Sequence, residues 1–209
     1  MTNFTTIQPK SSDRWNVDNQ YFYEGYNSDF GPLTLQFVHK FIQNIEAHLQ
    51  RNKRVIHYCG EGFKTQANGS FLMGTFLIVS KKWTVNQVKE AFGNRYLNSL
   101  RPFRDAGVGP DDFPLTVVDC LKSVERAVEL KWYSKTGFNS REFEDMLKPS
   151  DLSWIVPDEI IAFSSPVDPA YARGGRSSHS VRSEDLISPF QDLNVKGIIR
   201  LNDKLYDAG

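Results

Sequence analysis

The residues best suited to chemistry lie in one stretch of the chain, residues 54–73. This stretch is expected to form a short buried strand at 55–58, a glycine-bearing loop at 59–66, and an apolar helix that begins near Ala67. A loop that joins a strand to a helix N-terminus can bind phosphate, because its backbone N–H groups lack intrahelical partners and the helix dipole favours negative charge. The pattern therefore predicts a loop of the anion-binding type, although the same arrangement is also common as plain architecture in α/β proteins.

The loop lacks the groups that would make it catalytic. Cysteine-dependent phosphatases use His-Cys, five loop residues, Arg, and then Ser or Thr, with the thiolate attacking phosphorus and the arginine holding two phosphate oxygens. In this chain Tyr58 follows His57 at the nucleophile position, and Lys64 stands six residues later in place of arginine. Counting from Cys59 instead puts Thr65 at the arginine position. We predict a lapsed phosphatase loop, in which Cys59 is a small buried side chain.

Composition sets limits on the protein class. The chain has 209 residues, with 25 basic and 25 acidic side chains, so no net field indicates nucleic acid or membrane as a partner. Two cysteines without paired spacing, Cys59 and Cys120, and four scattered histidines argue against a disulfide framework or a metal site. The N-terminus lacks a signal-peptide core, and no apolar run is long enough to span a membrane. We expect a soluble protein without metal or cofactor.

The elements expected around the loop include both helices and strands. Before the loop, a turn at 29–33 feeds a helix that ends near Gln50. After the strand–loop–helix unit we expect a helix from the Thr84–Gln87 capping box to about Phe92, a loop at 93–114 and an amphipathic helix at 115–130. The rest of the chain is expected to form a short acidic helix from Asn139 that is stopped by Pro149, β segments at 154–157 and 160–166, a flexible basic segment near 167–183, a helix at 184–193 and a strand at 195–201.

Several short motifs, in this order, resemble one family, the cell-division-cycle-fourteen dual-specificity protein phosphatases. The resemblance covers nearly the whole chain. The motifs are Asp29-Phe-Gly-Pro-Leu33, His57-Tyr58 with Ala67-Asn68, Pro102-Phe-Arg-Asp-Ala106, Leu115-Thr-x-x-Asp-Cys-Leu121, Trp154-Ile-Val-Pro157, Ala162-Phe-Ser-x-Pro166 and Arg200-Leu-Asn202.

The resemblance implies a fold and a domain plan. Family members have two tandem phosphatase-like domains, of which the first is catalytically dead and shapes the substrate groove. For this chain it implies an α/β fold with a central, mostly parallel sheet flanked by helices. We expect residues 1–166 to form the inactive N-terminal domain, 167–193 to form a flexible linker and linker helix, and 194–209 to hold the first strand of a truncated catalytic domain.

The resemblance also implies a function. We expect the substrate-shaping, non-catalytic half of a proline-directed Ser/Thr/Tyr phosphatase of cell-cycle control and mitotic exit, inactive alone, whose parent reaction passes through a phosphocysteine without metal. Its partners would be phosphoproteins with phosphoserine-proline and a downstream basic residue, with homodimerisation left open. The implied groove residues are Asp29, Glu142, Glu144 and Glu184. The expected location is cytoplasmic and nuclear, with association with the spindle or centrosome.

Three alternatives stay open on the sequence. A free-standing pseudophosphatase could bind phosphopeptides through loop 59–66 or scaffold partners, and its affinity would then depend on Lys64. An unorthodox enzyme could use Cys59 as its nucleophile. An assembly protein could dimerise through an exposed sheet edge.

Overall fold

The chain folds as a mixed α/β protein in two units, Met1–Phe138 and Asn139–Gly209. The computed structural model describes residues 14–25, 27–51, 54–107, 109–167 and 181–201, without the side chain of Pro149. The α/β class predicted from the sequence is confirmed, although the parallel sheet within the described residues has only two short strands. The predicted domain boundaries at 166 and 193 stay predictions. They come from the family resemblance, whereas the two units are defined by contacts within the chain.

The first unit combines a small parallel sheet with five helices among its described residues. Strands β1 and β2 pair in parallel, with Arg14 opposite Ile56 and Trp15 opposite His57. The elements are β1 (Arg14–Trp15), α1 (Leu35–Arg51), β2 (Ile56–His57), α2 (Phe63–Lys81), α3 (Val85–Phe92), α4 (Asn94–Ser99) and α5 (Val117–Glu129).

Helix α2 is the centre of the first unit, because it is buried on most of its sides. It packs against α1 and α5, and the core between them includes the fully buried side chains of Phe41, Leu72 and Leu121. Gly74 allows the close approach of α5, since a Cβ at this position would lie 2.7 Å from Cδ2 of Leu121. The position of α2 therefore fixes the loop that precedes it.

Local chemistry explains where several helices begin. The predicted capping box of α3 is confirmed: the Thr84 hydroxyl accepts the Gln87 N–H, and the Gln87 side chain accepts the Thr84 N–H. Thr116 and Asp119 form the equivalent box at the start of α5. Each box satisfies backbone donors that would otherwise lack a partner.

Two expectations about the first unit are corrected. Helix α2 begins at Phe63 rather than near Ala67, so Lys64 and Thr65 belong to its first turn and the loop shortens to residues 59–62. The predicted loop at 93–114 contains helix α4, which follows Gly93 and its φ of 86°. Polar side chains in a first turn and a six-residue helix both lack the apolar periodicity that marks longer helices.

The second unit is built from α6 (Ser140–Ser150), an antiparallel hairpin of β3 (Ser153–Val156) and β4 (Ile160–Ala162), a 3₁₀ helix (Ser183–Leu186) and α7 (Ile187–Asp192). Asn139 caps α6 as predicted, because its side chain accepts the N–H groups of Arg141 and Glu142. The helix ends at Ser150, one residue beyond the predicted stop at Pro149.

The predicted strand at 195–201 is wrong. These residues have no regular structure, and the side chains of Ile199 and Leu201 are 85% and 93% exposed. Within the described ranges no strand pairs with them, and a strand without a partner leaves its backbone donors and acceptors to water. The predicted flexible segment near 167–183 falls mostly on residues 168–180, outside those that the structure describes.

Candidate functional site

The loop between β2 and α2 holds one of the chain's own carboxylates. Oδ2 of Asp18 accepts the backbone N–H of Gly60 at 2.7 Å. The amide of Asn16 donates to the same carboxylate oxygen and to the carbonyl of Tyr58, both at 2.9 Å. A loop N–H that could bind a phosphate oxygen is thus paired with an internal anion, whose charge would repel phosphate.

The threonine of the lapsed motif also faces inward. The Thr65 hydroxyl lies within donor distance of two carbonyl oxygens, that of Gly62 at 2.7 Å and that of Gly60 at 3.0 Å. Its single proton can therefore be shared only between groups of the loop itself. This contact explains why the helix starts early, since it closes the turn 60–65 and gives Thr65 a local partner.

Cys59 is held as a protonated thiol. Its side chain is partly buried, and burial, with a further contribution from the charge of Asp18, raises the pKa of the thiol. The sulfur packs on α2 at Gly69, where an added Cβ would lie 3.3 Å from Sγ and 3.1 Å from Cβ of Cys59. A nucleophilic cysteine needs the opposite surroundings, with a nearby cation that stabilises the thiolate. The geometry supports the prediction that Cys59 is a packing residue.

His57 cannot supply that cation. Its ring packs 5.8 Å from the Trp15 ring and 5.2 Å from the Phe41 ring, measured between centroids. Burial lowers the pKa of His57, and the charge of Asp18 only partly opposes this effect. Nε2 of His57 is buried without a hydrogen-bond partner among the described residues. At neutral pH the imidazole is therefore uncharged and part of the core.

The basic residues near the loop rest on aromatic rings. The Lys64 ammonium lies 5.7 Å from the centre of the Phe30 ring, and the Arg101 guanidinium lies 4.5 Å from that of Phe63. Tyr58, at the nucleophile position, is 52% exposed. A neutral phenol is a much weaker nucleophile toward phosphorus than a thiolate.

A second candidate site is a groove within the second unit, with a volume of about 500 Å³. Its wall carries three acidic side chains, Glu142 and Asp145 on α6 and Asp192 at the end of α7. The other lining residues are Asn139, Arg141, Met146, Leu152, Pro189 and Leu193. An acidic rim over an apolar floor suits a peptide that carries a basic side chain next to an apolar one.

Of the four predicted groove residues, the structure places Glu142 in this groove. Glu144 is two residues further along α6, on a different side of the helix, and does not line the groove. Glu184 lies in the first turn of the 3₁₀ helix and is also outside the lining. Asp145 lines the groove but already pairs with Lys148 at 2.6 Å. Asp192 was missed, because a single aspartate at the end of a short helix carries no motif.

Asp29 lies in a buried turn of the first unit, and its role in a substrate groove stays a prediction. Its side chain is 7% exposed. Oδ2 accepts the hydroxyl of Tyr23 and Oδ1 accepts the N–H of Asn27, both at 2.6 Å. Burial, followed by the hydrogen bond to Asp29, raises the pKa of Tyr23 to about 12. The carboxylate therefore fixes the turn at the start of the Asp29–Leu33 motif.

The described part of the chain holds neither a metal-binding cluster nor a membrane-spanning helix. No group of three or more His, Cys, Asp or Glu residues there could hold a metal ion. None of the described helices has both the length and the apolar character that crossing a membrane requires.

The fold and the loop together define a phosphatase-type α/β domain without the catalytic pair. Residues 2–127 match the family model described as "Dual specificity protein phosphatase, N-terminal half". The chain belongs to this family.

Curated relatives extend the similarity over the whole chain. The chain is 35% identical to dual specificity protein phosphatase CDC14C of Symphalangus syndactylus and 34% identical to CDC14C of Homo sapiens, over 96% of its length in both comparisons. It is 28% identical to tyrosine-protein phosphatase CDC14 of Saccharomyces cerevisiae over 95% of its length. The chain spans 43%, 46% and 38% of these three relatives, so it corresponds to their N-terminal portion.

Proposed function

We propose that this chain is the non-catalytic, substrate-shaping half of a proline-directed dual-specificity protein phosphatase. The observation that carries the proposal is the state of the loop at 59–62. The N–H of Gly60 is bonded to Asp18, and the pKa of the Cys59 thiol is raised. The pKa of His57, which lies in strand β2 just before the loop, is lowered. Each of these features opposes formation of a phosphocysteine, so the chain alone does not turn over phosphate esters.

The proposed substrate class rests on the family resemblance, and the groove supports one part of it, the basic residue. The family resemblance implies phosphopeptides in which proline follows the phosphoserine and a basic residue lies downstream. Glu142 and Asp192 are the groove's two acidic residues without a salt bridge among those that the structure describes. They would pair with the basic side chain, while the partly exposed Met146 contacts the apolar part of the peptide. The carboxylates act by steering and by pairing at the rim, where each contact is weak but additive.

The loop-binding alternative is disfavoured by the same geometry. A pseudophosphatase that binds phosphopeptides through the loop would need an open set of N–H groups and a cation directed at them. Gly60 is instead paired with Asp18, and the Lys64 ammonium lies over the Phe30 ring. On the family resemblance we also propose cytoplasmic and nuclear localisation, tested by imaging of the tagged full-length protein.

The experiment is peptide binding to the 209-residue chain, measured by fluorescence anisotropy at low salt. The probe carries phosphoserine, proline and a downstream lysine, and a second probe has glutamine in place of the lysine. We expect Glu142→Gln with Asp192→Asn to weaken binding of the lysine probe about fivefold, from roughly 0.5 kcal/mol for each exposed pair. The matched control is Glu159→Gln, an exposed acidic residue in the turn between β3 and β4, which should change nothing.

Equal binding of the two probes, or an equal effect of Glu159→Gln, would contradict the groove proposal. Loss of binding on Lys64→Ala with no effect at Glu142 would instead establish the loop as the phosphopeptide site. Raising the ionic strength should weaken binding of the lysine probe more than binding of the glutamine probe, because salt screens the charges at the rim of the groove.

A further inference from the structure

Two helices of the first unit end in the same unusual way. Lys82, which follows α2, has a φ of 59°, and Lys131, close after α5, has a φ of 61°. Glycine is the usual residue for this left-handed backbone, because a side chain is disfavoured there. Each lysine is followed at once by a tryptophan, Trp83 or Trp132. The same Lys-Trp pair therefore closes both helices.

The two helices run in the same direction. They touch where a Cβ on Gly74 would lie 2.7 Å from Leu121. Past this contact, the backbone N–H of Val85, just beyond α2, donates to Oε1 of Glu125 in α5 at 2.9 Å. Both helices thus continue toward one end of the unit, because antiparallel helices would carry Val85 and Glu125 apart.

The two Lys-Trp pairs lie at nearly the same level. With a rise of about 1.5 Å per residue, Lys82 is about 12 Å beyond Gly74, and Lys131 is about 15 Å beyond Leu121. The four residues Lys82, Trp83, Lys131 and Trp132 are all exposed and form what we call the Lys-Trp face.

The acidic side chains near this face already have partners. Glu46 pairs with Lys135 at 2.6 Å, and Glu129 pairs with Arg126 at 3.1 Å. Glu125 accepts a backbone N–H, as described above. Two of these three carboxylates are therefore paired with cations within the unit.

The lysines of the face lack carboxylate partners among the described residues. The Lys82 ammonium donates to the carbonyl of Val79 at 2.9 Å, a contact that a helix C-terminus favours by itself. The backbone N–H of Lys131 donates to the carbonyl of Val128 at 3.1 Å, but its side chain makes no hydrogen bond or ion pair with the part of the chain that the structure describes. Helix capping thus explains the charge at Lys82, but it does not explain a lysine instead of glycine at Lys131.

The tryptophans define the kind of partner. Trp83 is 36% exposed and Trp132 is 44% exposed, so part of each indole is accessible to a partner and the rest is packed against the unit. A side chain that enters a bilayer has to project, as Phe113 does at 92% exposure. Half-buried tryptophans surrounded by charges are typical anchors of protein–peptide contacts.

We propose that the Lys-Trp face binds an acidic peptide segment of a partner protein. Apolar side chains of the segment lie on the two indoles, and its carboxylates pair with Lys82 and Lys131. This site is on the first unit, and it is separate from the acidic groove of the second unit, which takes the opposite charge.

The test uses the full chain and a fluorescein-labelled, glutamate-rich peptide that contains leucines, with a glutamine-for-glutamate peptide as its control. We expect Lys82→Gly with Lys131→Gly to weaken binding of the acidic peptide about fivefold or more at low salt. The melting temperature of the same variant should be unchanged or higher, because glycine suits the left-handed backbone. A merely structural role of the lysines would not give weaker binding together with unchanged or higher stability.

The control variant is Lys122→Gln, which removes an exposed lysine from the middle of α5, about 14 Å along the helix from Lys131, and should leave binding unchanged. Trp83→Phe and Trp132→Phe should each weaken the acidic peptide less than the double lysine variant does. Unchanged binding of the acidic peptide by the variant Lys82→Gly with Lys131→Gly would overturn the proposal. So would no binding up to about 1 mM, or binding of phosphatidylserine vesicles in place of the peptide.

Discussion

The contact between α2 and α5 gives a sharp prediction about what holds the first unit together. Gly74→Ala adds one methyl group, which would lie 2.7 Å and 2.9 Å from the two methyls of Leu121. Leu121 is 0% exposed, so its side chain has no open space into which to move. The added methyl therefore forces either a strained side chain or a shift of one helix.

The expected magnitude combines two opposing effects. Alanine favours a helix interior over glycine by about 1 kcal/mol. Overpacking a dense core costs about 1–3 kcal/mol. We therefore expect Gly74→Ala to lower the free energy of unfolding by about 1 kcal/mol, measured from the denaturation midpoint by circular dichroism.

A double-mutant cycle identifies the cause. Leu121→Ala alone should cost about 2–5 kcal/mol, because it leaves a cavity. Combined with Gly74→Ala it should cost about 1 kcal/mol less than the sum of the single effects, since each change relieves the other. Gly197→Ala is the control, as a Cβ there has no atom within 4 Å. A stabilising Gly74→Ala with no coupling to Leu121 would refute the packing argument.

Three further predictions concern caps and thiols. Thr116→Ala should lower stability by about 1 kcal/mol in thermal or chemical denaturation, because the cap of α5 is lost; an unchanged midpoint would speak against the box. The Thr116 hydroxyl bond lowers the pKa of Asp119, so this contribution is fully present at neutral pH and is lost as pH falls through the lowered pKa; Asp119→Asn should therefore cost more stability at pH 7 than at pH 3. In mass-spectrometric labelling with iodoacetamide at pH 8, Cys59 should react slowly and Cys120, whose pKa burial raises to about 12, more slowly still. Asp18→Asn should speed labelling of Cys59 and not of Cys120, and the reverse result would show that Asp18 does not act on the thiol.

Features set by neighbouring residues could be predicted from the sequence. The Thr84–Gln87 box, the Asn139 cap and the apolar face of α1 each depend on residues within one or two helical turns. The departure of Tyr58 and Lys64 from the catalytic pattern could also be recognised from the sequence, because that pattern is defined by fixed spacing.

Features that depend on distant partners could not be predicted. Asp18 reaches Gly60 only because β1 pairs with β2, and no local signal connects positions 42 residues apart. The segment 195–201 has the apolar composition of a strand, yet strand formation requires a neighbour that the described residues do not provide.

We propose that the phosphatase-type loop of this chain has no catalytic function. The most direct test of this proposal is hydrolysis of an aryl phosphate by the purified 209-residue chain, beside the variant Cys59→Ser. We predict no hydrolysis above buffer for either protein. Hydrolysis by the unaltered chain that disappears in Cys59→Ser would contradict the account and make Cys59 a nucleophile.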